Sequence, residues 1–316
     1  MDLPLELKEA LEERTQAAKR EQLLSAAQDI SRQYRAQQVN GGHVVTTAAS
    51  ALAYAAARMP ATYGAVRTAL EQVRALLPEG AIRSVLDVGA GTGAGSWAAR
   101  DVFDPERTVC LEREDAMRAL GEGLMADADR HADWRKFDLT RDGTEETASL
   151  VLASYVFNEL PERERIPALI RLWQAAERVL LIVEPGTPEG YRQLMAARKA
   201  LLAEGAHVLA PCPQEGLCPL PEDDWCHFTC RVARTRLHKA LKGGDAPYED
   251  EKFCYLALSR GREAAAESRV LRHPLIEPGK ITVKLCGRDG IVTREIRKRD
   301  GELFRRARKV SAGDSF

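Results

Sequence analysis

Ser84-Val85-Leu86-Asp87-Val88-Gly89-Ala90-Gly91-Thr92-Gly93-Ala94-Gly95 is the stretch that decides the fold of this chain. Its first five residues form a short apolar run ending in Asp87-Val88, the composition of a strand buried on both faces of a parallel sheet. Gly89, Gly91 and Gly93 then break the run, and Ser96 to Arg100 is compatible with a helix. Glycines at that spacing let the backbone turn tightly and let a ligand approach main-chain N–H groups at a helix N-terminus. A second apolar strand, Thr108 to Leu111, follows about one helix later and ends in Glu112. In a doubly wound sheet an acidic side chain at that strand tip is placed to hold a nucleoside ribose.

Two nucleoside cofactors fit that geometry. The dinucleotide fingerprint G-x-G-x-x-G uses its third glycine to pack helix against strand. Here the order is D-V-G-A-G-T-G, with Asp87 leading into the turn, and it resembles motif I of class I methyltransferases that use S-adenosylmethionine (SAM). SAM is therefore preferred to NAD, with Asp87, Gly89, Gly91, Gly93 and Glu112 as its expected contacts. A third short strand, Trp134 to Phe137, ends at Asp138, placed to accept from an adenine amino group. The fourth, Leu150 to Tyr155, leads into Val156-Phe157-Asn158-Glu159-Leu160-Pro161. Ligands in open α/β sheets sit beyond the carboxyl ends of the strands, so Tyr155 to Glu159 should face a transferred methyl, with Asn158 and Glu159 as candidate catalytic residues. Asn158-Glu159-Leu160-Pro161 departs from the [DN]-P-P-[FY] pattern of enzymes that methylate exocyclic base amines. The fifth strand, Val179 to Val183, ends at Glu184-Pro185-Gly186 on the edge of the same site.

Around this core the chain divides into three. Residues 1–80 read as a helical cap, 81–262 as the α/β core with a cysteine-rich insertion at about 210–227, and 263–316 as a basic C-terminal β module. In the cap an amphipathic pattern runs from Leu5 to Tyr34 and Gly41-Gly42 interrupts it. Thr46 and Thr47 can cap a helix from Ala48 to Arg58, and Pro60 begins another. At 316 residues, with 45% hydrophobic and 29% charged residues, the chain suits a core domain with appendages, and its net charge of −1 means that any nucleic-acid-binding surface must be local. No apolar run approaches the ~20 residues needed to span a bilayer. The acidic N-terminus lacks a signal-peptide or Arg-rich transit pattern, so a cytoplasmic monomer is expected.

The chain has seven cysteines, and Cys212, Cys218 and Cys226 fall in a loop rich in proline and glycine. Such a loop has little apolar material for a core, so thiolates gripping a metal would explain how it folds, with Cys286 as the fourth ligand. The spacing is looser than that of zinc ribbons and leaves zinc and iron–sulfur open. Cys212 as a nucleophile for cytosine C5 methylation is a further option. Cys110, Cys230 and Cys254 lie within apolar strand patterns and read as buried small hydrophobes. Between Lys280 and Lys309 lie eleven basic and four acidic residues. Ile281–Leu285 and Ile291–Ile296, joined through Arg288-Asp289-Gly290, read as a hairpin whose cations could neutralise phosphates, and Asp300-Gly301 reads as a second turn.

These residues together carry a family resemblance. The glycine motif, Arg58-Met59-Pro60-Ala61-Thr62-Tyr63, the Ala210–Phe228 cysteine loop, Glu249-Asp250-Glu251-Lys252-Phe253, and Leu285-Cys286 followed by Asp289-Gly290 resemble the Rsm-type methyltransferase-like family of the small ribosomal subunit, from about residue 45 to the C-terminus. The resemblance implies a class I methyltransferase fold, association with the small subunit and its rRNA during assembly, and a [4Fe–4S] site on Cys212, Cys218, Cys226 and Cys286. Two functions follow as expectations. One is SAM-dependent methylation of small-subunit rRNA. The other is a non-catalytic rRNA-binding assembly factor whose cluster is structural or redox-sensing.

Overall fold

The structure, a computed structural model, describes residues 1–35, 45–234, 238–239 and 245–316. Strand β1 (Ser84–Val88) pairs in parallel with β2 (Arg107–Glu112) on one side and with β4 (Ala148–Ser154) on the other. β3 (Asp133–Lys136) extends the sheet beyond β2, and β5 (Ala176–Pro185) extends it beyond β4, all in parallel. The far edge reverses. The twelve-residue β8 (Tyr248–Ser259) runs antiparallel to β5, and β6 (His207–Ala210) and β7 (Phe228–Ala233) pair antiparallel with it. Among the described residues these eight strands have the order β3-β2-β1-β4-β5-β8-β6, with β7 alongside β8. Strand order switches direction between β1 and β4, which opens a crevice at their carboxyl ends. The expectation of a mixed α/β fold with a doubly wound parallel sheet is met.

Burial on both faces explains the unbroken apolar runs. Helices α3 (Ala48–Arg74), α4 (Ala94–Phe103) and α5 (Asp115–Asp127) cover one face, where Met59, Leu70, Trp97 and Leu124 are buried with Val85. Helices α6 (Glu162–Ala175) and α7 (Pro188–Ala203) cover the other, where Leu169, Trp173 and Leu201 pack with Leu86 and Val88. In the cap, α1 (Leu5–Ala17) and α2 (Arg20–Arg35) take the place of one continuous amphipathic run, the break falling at the extended Ala18. Gly41-Gly42 lies outside the described residues.

Two expectations need correction. Pro60 starts no new helix, because α3 runs through it without a break. A proline inside a helix costs about 3 kcal/mol through its missing N–H and its clash with the preceding turn. Each fully buried large apolar side chain returns roughly 1.5–3 kcal/mol, and Met59, Tyr63, Val66 and Leu70 on this one helix are all buried. Tertiary packing therefore overrides the local break. The start of α3 is fixed by Thr47, whose Oγ1 accepts the Ser50 N–H at 3.1 Å while Ser50 Oγ accepts the Thr47 N–H.

The second correction is at the C-terminus. The hairpin forms as expected, β11 (Lys280–Gly287) against β12 (Gly290–Arg297) with Gly287 opposite Gly290, and β9 (Ser268–Val270) and β10 (Leu275–Glu277) pair with β11. Asp300-Gly301, however, leads into a short helix, α8 (Glu302–Ala307), whose Ala307 closes a small core over Ile281, Val283, Leu285 and Ile296. The hairpin has one apolar face to cover, and a helical turn covers it more compactly than another strand.

Candidate functional site

Two cavities hold the residues singled out by the sequence. The first lies at the carboxyl ends of β1, β2 and β4. Gly89, Gly91 and Glu112 line it with Asp138, Tyr155 and Glu159, and Val45 and Tyr54 reach it from the cap. Gly89 has φ +69°, and a Cβ there would come within 2.5 Å of Val156, so the turn needs glycine. The loop is tied down: the Gly89 and Ala90 amides donate to the Leu111 carbonyl at 2.8 and 3.1 Å. Glu112, buried at the tip of β2, accepts the Gly91 N–H on Oε2 and the Glu114 N–H on Oε1, each at 2.7 Å. Burial pushes its carboxyl up, while these two amides pull the other way. Asp138 accepts from the Thr140 amide and hydroxyl at 2.9 and 2.6 Å.

The other predicted contacts stand behind this wall. Asp87 is fully buried beneath the glycine loop, where Ser96 Oγ donates to its Oδ2 at 2.7 Å, and burial pushes its carboxyl up to about 6. Gly93 is the N-cap of α4 and packs against Met125 and Trp134. Asn158 sits in a 3₁₀ turn, Phe157–Glu159, and only its neighbour Glu159 reaches the cavity. Asp87 and Gly93 thus support the pocket from beneath, and Asn158 is not among the residues that line it.

Four residues near the pocket make contacts that the sequence did not show. Tyr155 has φ +60°, a strained conformation for a bulky residue. Its hydroxyl donates to Glu251 Oε1 of β8 at 2.9 Å, and Arg58 of α3 meets the same carboxylate at 3.2 Å. Two of the resemblance motifs, around Arg58 and around Glu251, thereby converge on the tyrosine that closes β4. Glu184, at the end of β5, is fully buried, and its Oε1 accepts the Phe157 N–H at 2.9 Å. Burial pushes its carboxyl up to about 8. An acid inside an apolar strand (Leu180-Leu181-Ile182-Val183-Glu184) was the available signal.

The second cavity lies on the other side of β8. Cys212, Cys218 and Cys226 from the loop after β6 line it together with Cys286 of β11. The four cysteines singled out by the sequence, 74 positions apart at the extremes (286 − 212), therefore share one chamber. Burial pushes the Cys212, Cys226 and Cys286 thiols up, and the neighbouring thiols add to the rise in each. Arg198 and Arg269 oppose it at Cys212, and Arg269 at Cys286. The remaining cysteines behave as apolar residues. Cys110 is buried at 3.1 Å from Ser96 Oγ, Cys230 is buried between α3 and the sheet, and the Cys254 thiol, though on the chamber wall, donates to the Pro185 carbonyl at 3.2 Å. Among the described residues no three His, Cys, Asp or Glu side chains form a group that could hold a single metal ion as they stand.

The loop and the C-terminal module are locked together around this chamber. Asp224 pairs with Arg272 and with Lys284 of β11, the latter at 3.2 Å, and these cations hold its carboxyl below the usual range against the effect of burial. Trp225 Nε1 donates to the Gly186 carbonyl at 2.9 Å. Arg269, only 1% exposed, donates to the Pro211 and Gly313 carbonyls at 3.0 and 2.9 Å and also to Gln72. Of the basic residues counted in the module, Lys284 is thus structural, and Lys280, Arg297 and Arg305 face acidic neighbours. Among the described residues no ion pair engages Arg294, Lys298, Arg299, Arg308 or Lys309.

Comparison with known proteins covers both cavities. The family model described as "Mitochondrial small ribosomal subunit Rsm22" matches residues 48–316. The human "Ribosome assembly protein METTL17, mitochondrial" is 28% identical over 287 residues, 83% of this chain and 61% of that protein. "Rsm22-cox11 tandem protein 2, mitochondrial" of Schizosaccharomyces pombe is 24% identical over 84% of this chain and 43% of that protein. The chain thus spans less than two-thirds of the length of either relative. Among solved structures, magnesium protoporphyrin IX methyltransferase from Synechocystis PCC 6803 with bound SAM aligns with a TM-score of 0.42 at 14% identity, over 72% of this chain and 90% of that one.

Proposed function

The chain belongs to the Rsm22 family, and from that membership we propose that it acts in assembly of the small ribosomal subunit, binding SAM in the pocket at β1–β4 and rRNA through its C-terminal module. The single observation that carries this reading is that the family match, over residues 48–316, spans residues of both cavities. SAM supplies an electrophilic methyl when bound. The chain's own contribution is binding and alignment. Glu112 organises the Gly91 and Glu114 amides and would hold the ribose with its remaining lone pairs, Asp138 would accept from the adenine, and Glu159, on the same pocket wall, would be the carboxylate available to an acceptor.

In this reading Cys212, Cys218, Cys226 and Cys286 hold one metal centre, [4Fe–4S] with zinc as the alternative. Their chemistry fits such a group. In this desolvated chamber the neighbouring thiols add to the rise at Cys212, Cys226 and Cys286, a metal cation would reverse that penalty, and buried Arg198 and Arg269 would offset the charge of the thiolates. A bound cluster supplies a one-electron redox centre and a covalent tie between the loop and the module. Burial of Cys212 among these thiols argues against its use as a nucleophile.

A second reading, a non-catalytic rRNA-binding assembly factor, is favoured by one observation: Asn158 is not among the residues that line the pocket. Comparing rRNA modification profiles of cells with and without the gene separates the two. A methylation that disappears from small-subunit rRNA supports the enzyme. An unchanged profile with stalled small subunits supports the assembly factor. Normal small subunits together with an unchanged profile overturn both.

A further inference from the structure

The four-cysteine chamber contains polar groups that are not thiols. Tyr255, on β8 beside Cys254, is buried and lines the chamber, and its hydroxyl has no hydrogen-bond partner among the described residues. Its ring is fixed by Phe228 and Phe253, at centroid distances of 5.5 and 6.2 Å, so the hydroxyl cannot swing away to find water. Burial pushes it up to about 12, and the Cys226 and Cys212 thiols are among the charges that act on it. On α7, Tyr191 also lines the chamber and donates its O–H to Cys218 Sγ at 3.1 Å. An unmade hydrogen bond on a buried hydroxyl is costly, and a phenylalanine would fill the same apolar slot without that cost.

We propose that the hydroxyls of Tyr255 and Tyr191 donate hydrogen bonds to the sulfurs of the metal centre held by Cys212, Cys218, Cys226 and Cys286, and so set its reduction potential. The inference rests on the [4Fe–4S] reading of the preceding section. Hydrogen bonds to cluster sulfurs withdraw electron density and raise the potential. The two hydroxyls approach from different elements, Tyr255 from β8 and Tyr191 from α7, where it already reaches Cys218, so their effects are separable. Cys286 reaches the chamber from a third element, β11.

The test uses the full chain purified without oxygen, with Tyr255→Phe, Tyr191→Phe and, as a control at the exposed start of β8, Tyr248→Phe. Each protein is reduced stepwise with dithionite and mediators while the cluster is followed by absorbance and EPR. All three variants keep the brown colour. Tyr255→Phe and Tyr191→Phe move the midpoint potential to more negative values and shift the iron–thiolate stretching bands upward, and Tyr248→Phe leaves both unchanged. In metal-free protein, Tyr255→Phe unfolds at the same temperature as the parent or a higher one, because it removes a hydroxyl with no partner. An intact cluster whose potential moves in neither tyrosine variant overturns the inference alone. Colourless parent protein, or stoichiometric zinc, overturns the cluster reading and the inference with it.

Discussion

The two cavities differ in how far the protein completes them by itself. At the cofactor pocket Glu112 holds two amides, Asp138 holds Thr140 and Tyr155 is tied to Glu251, while in the support behind them Glu184 holds Phe157 through Oε1 and leaves Oε2, like Asp87 Oδ1, without a partner among the described residues. At the cysteine chamber three thiols repel one another's ionisation and a tyrosine hydroxyl goes unpaired. The pocket is preorganised and a ligand only fills it. The chamber gathers thiols whose mutual resistance to ionisation a metal of the proposed kind would relieve. Losing a ligand should therefore be tolerated at the first and structurally damaging at the second.

The largest effect that could break this comparison is loss of a thiol. Cys226→Ser is expected to abolish the brown colour and expose residues 263–316 to proteolysis, because ligand loss removes folding free energy. Cys110→Ser, in the apolar core, should change neither. Equal protease resistance in Cys226→Ser and its parent would show that the chamber, like the pocket, holds itself together.

Next in size is the pH response of the pocket's support. Glu184 titrates near 8 in the folded chain against an ordinary 4.5. The folded state thus binds the proton more tightly. The stability this gives is complete below about 4.5 and is lost as pH rises toward 8, by at most about 1.4 kcal/mol per pH unit. Glu184→Gln keeps an acceptor for the Phe157 amide and should flatten that decline in urea titrations between pH 5 and 8. An undiminished slope would move the origin of the pH dependence elsewhere.

Glu112→Ala sharpens the comparison from the ligand side. It unpairs the Gly91 and Glu114 amides, at about 1–3 kcal/mol for a buried group, so calorimetry should find SAM binding weakened by roughly ten- to a hundredfold while the metal content is unchanged. Tight binding of NAD without SAM would overturn the cofactor assignment.

The smallest expected effect lies outside both cavities. Reversing Arg297, Lys298 and Arg299 to Glu should flatten the salt dependence of rRNA binding by about two in log–log slope without touching colour or SAM affinity. An unchanged slope would return these residues to a solvated surface.

The sheet was legible because strand–helix alternation and the glycine turn are local patterns, each readable within about ten residues. Glu112 and the four cysteines were legible for a related reason: their residue types are rare in the positions they occupy. What escaped depends on contacts between distant segments. Pro60 reads as a helix start until the packing of Met59 and Leu70 is known, and that Glu159 rather than Asn158 lines the cavity depends on the turn at 157–159. Tyr155 and Glu251 are 96 positions apart, and their bond has no local signature. Tyr255 left a weak trace: a phenol in the apolar run Phe253–Leu258 whose polar tip would need a partner.

The placement of Cys286 bears on the order of events in synthesis. Three of the chamber's thiols are made before β8, and the fourth arrives sixty positions after Cys226, on a strand that must itself pair with β9, β10 and β12. By then β1 to β5 have all left the ribosome, and the pocket they form needs nothing from the module. The chamber is therefore the last part of this chain to be completed: an interrupted copy can present a finished pocket at β1–β4, but only one translated through β11 can bring Cys286 to the other three thiols.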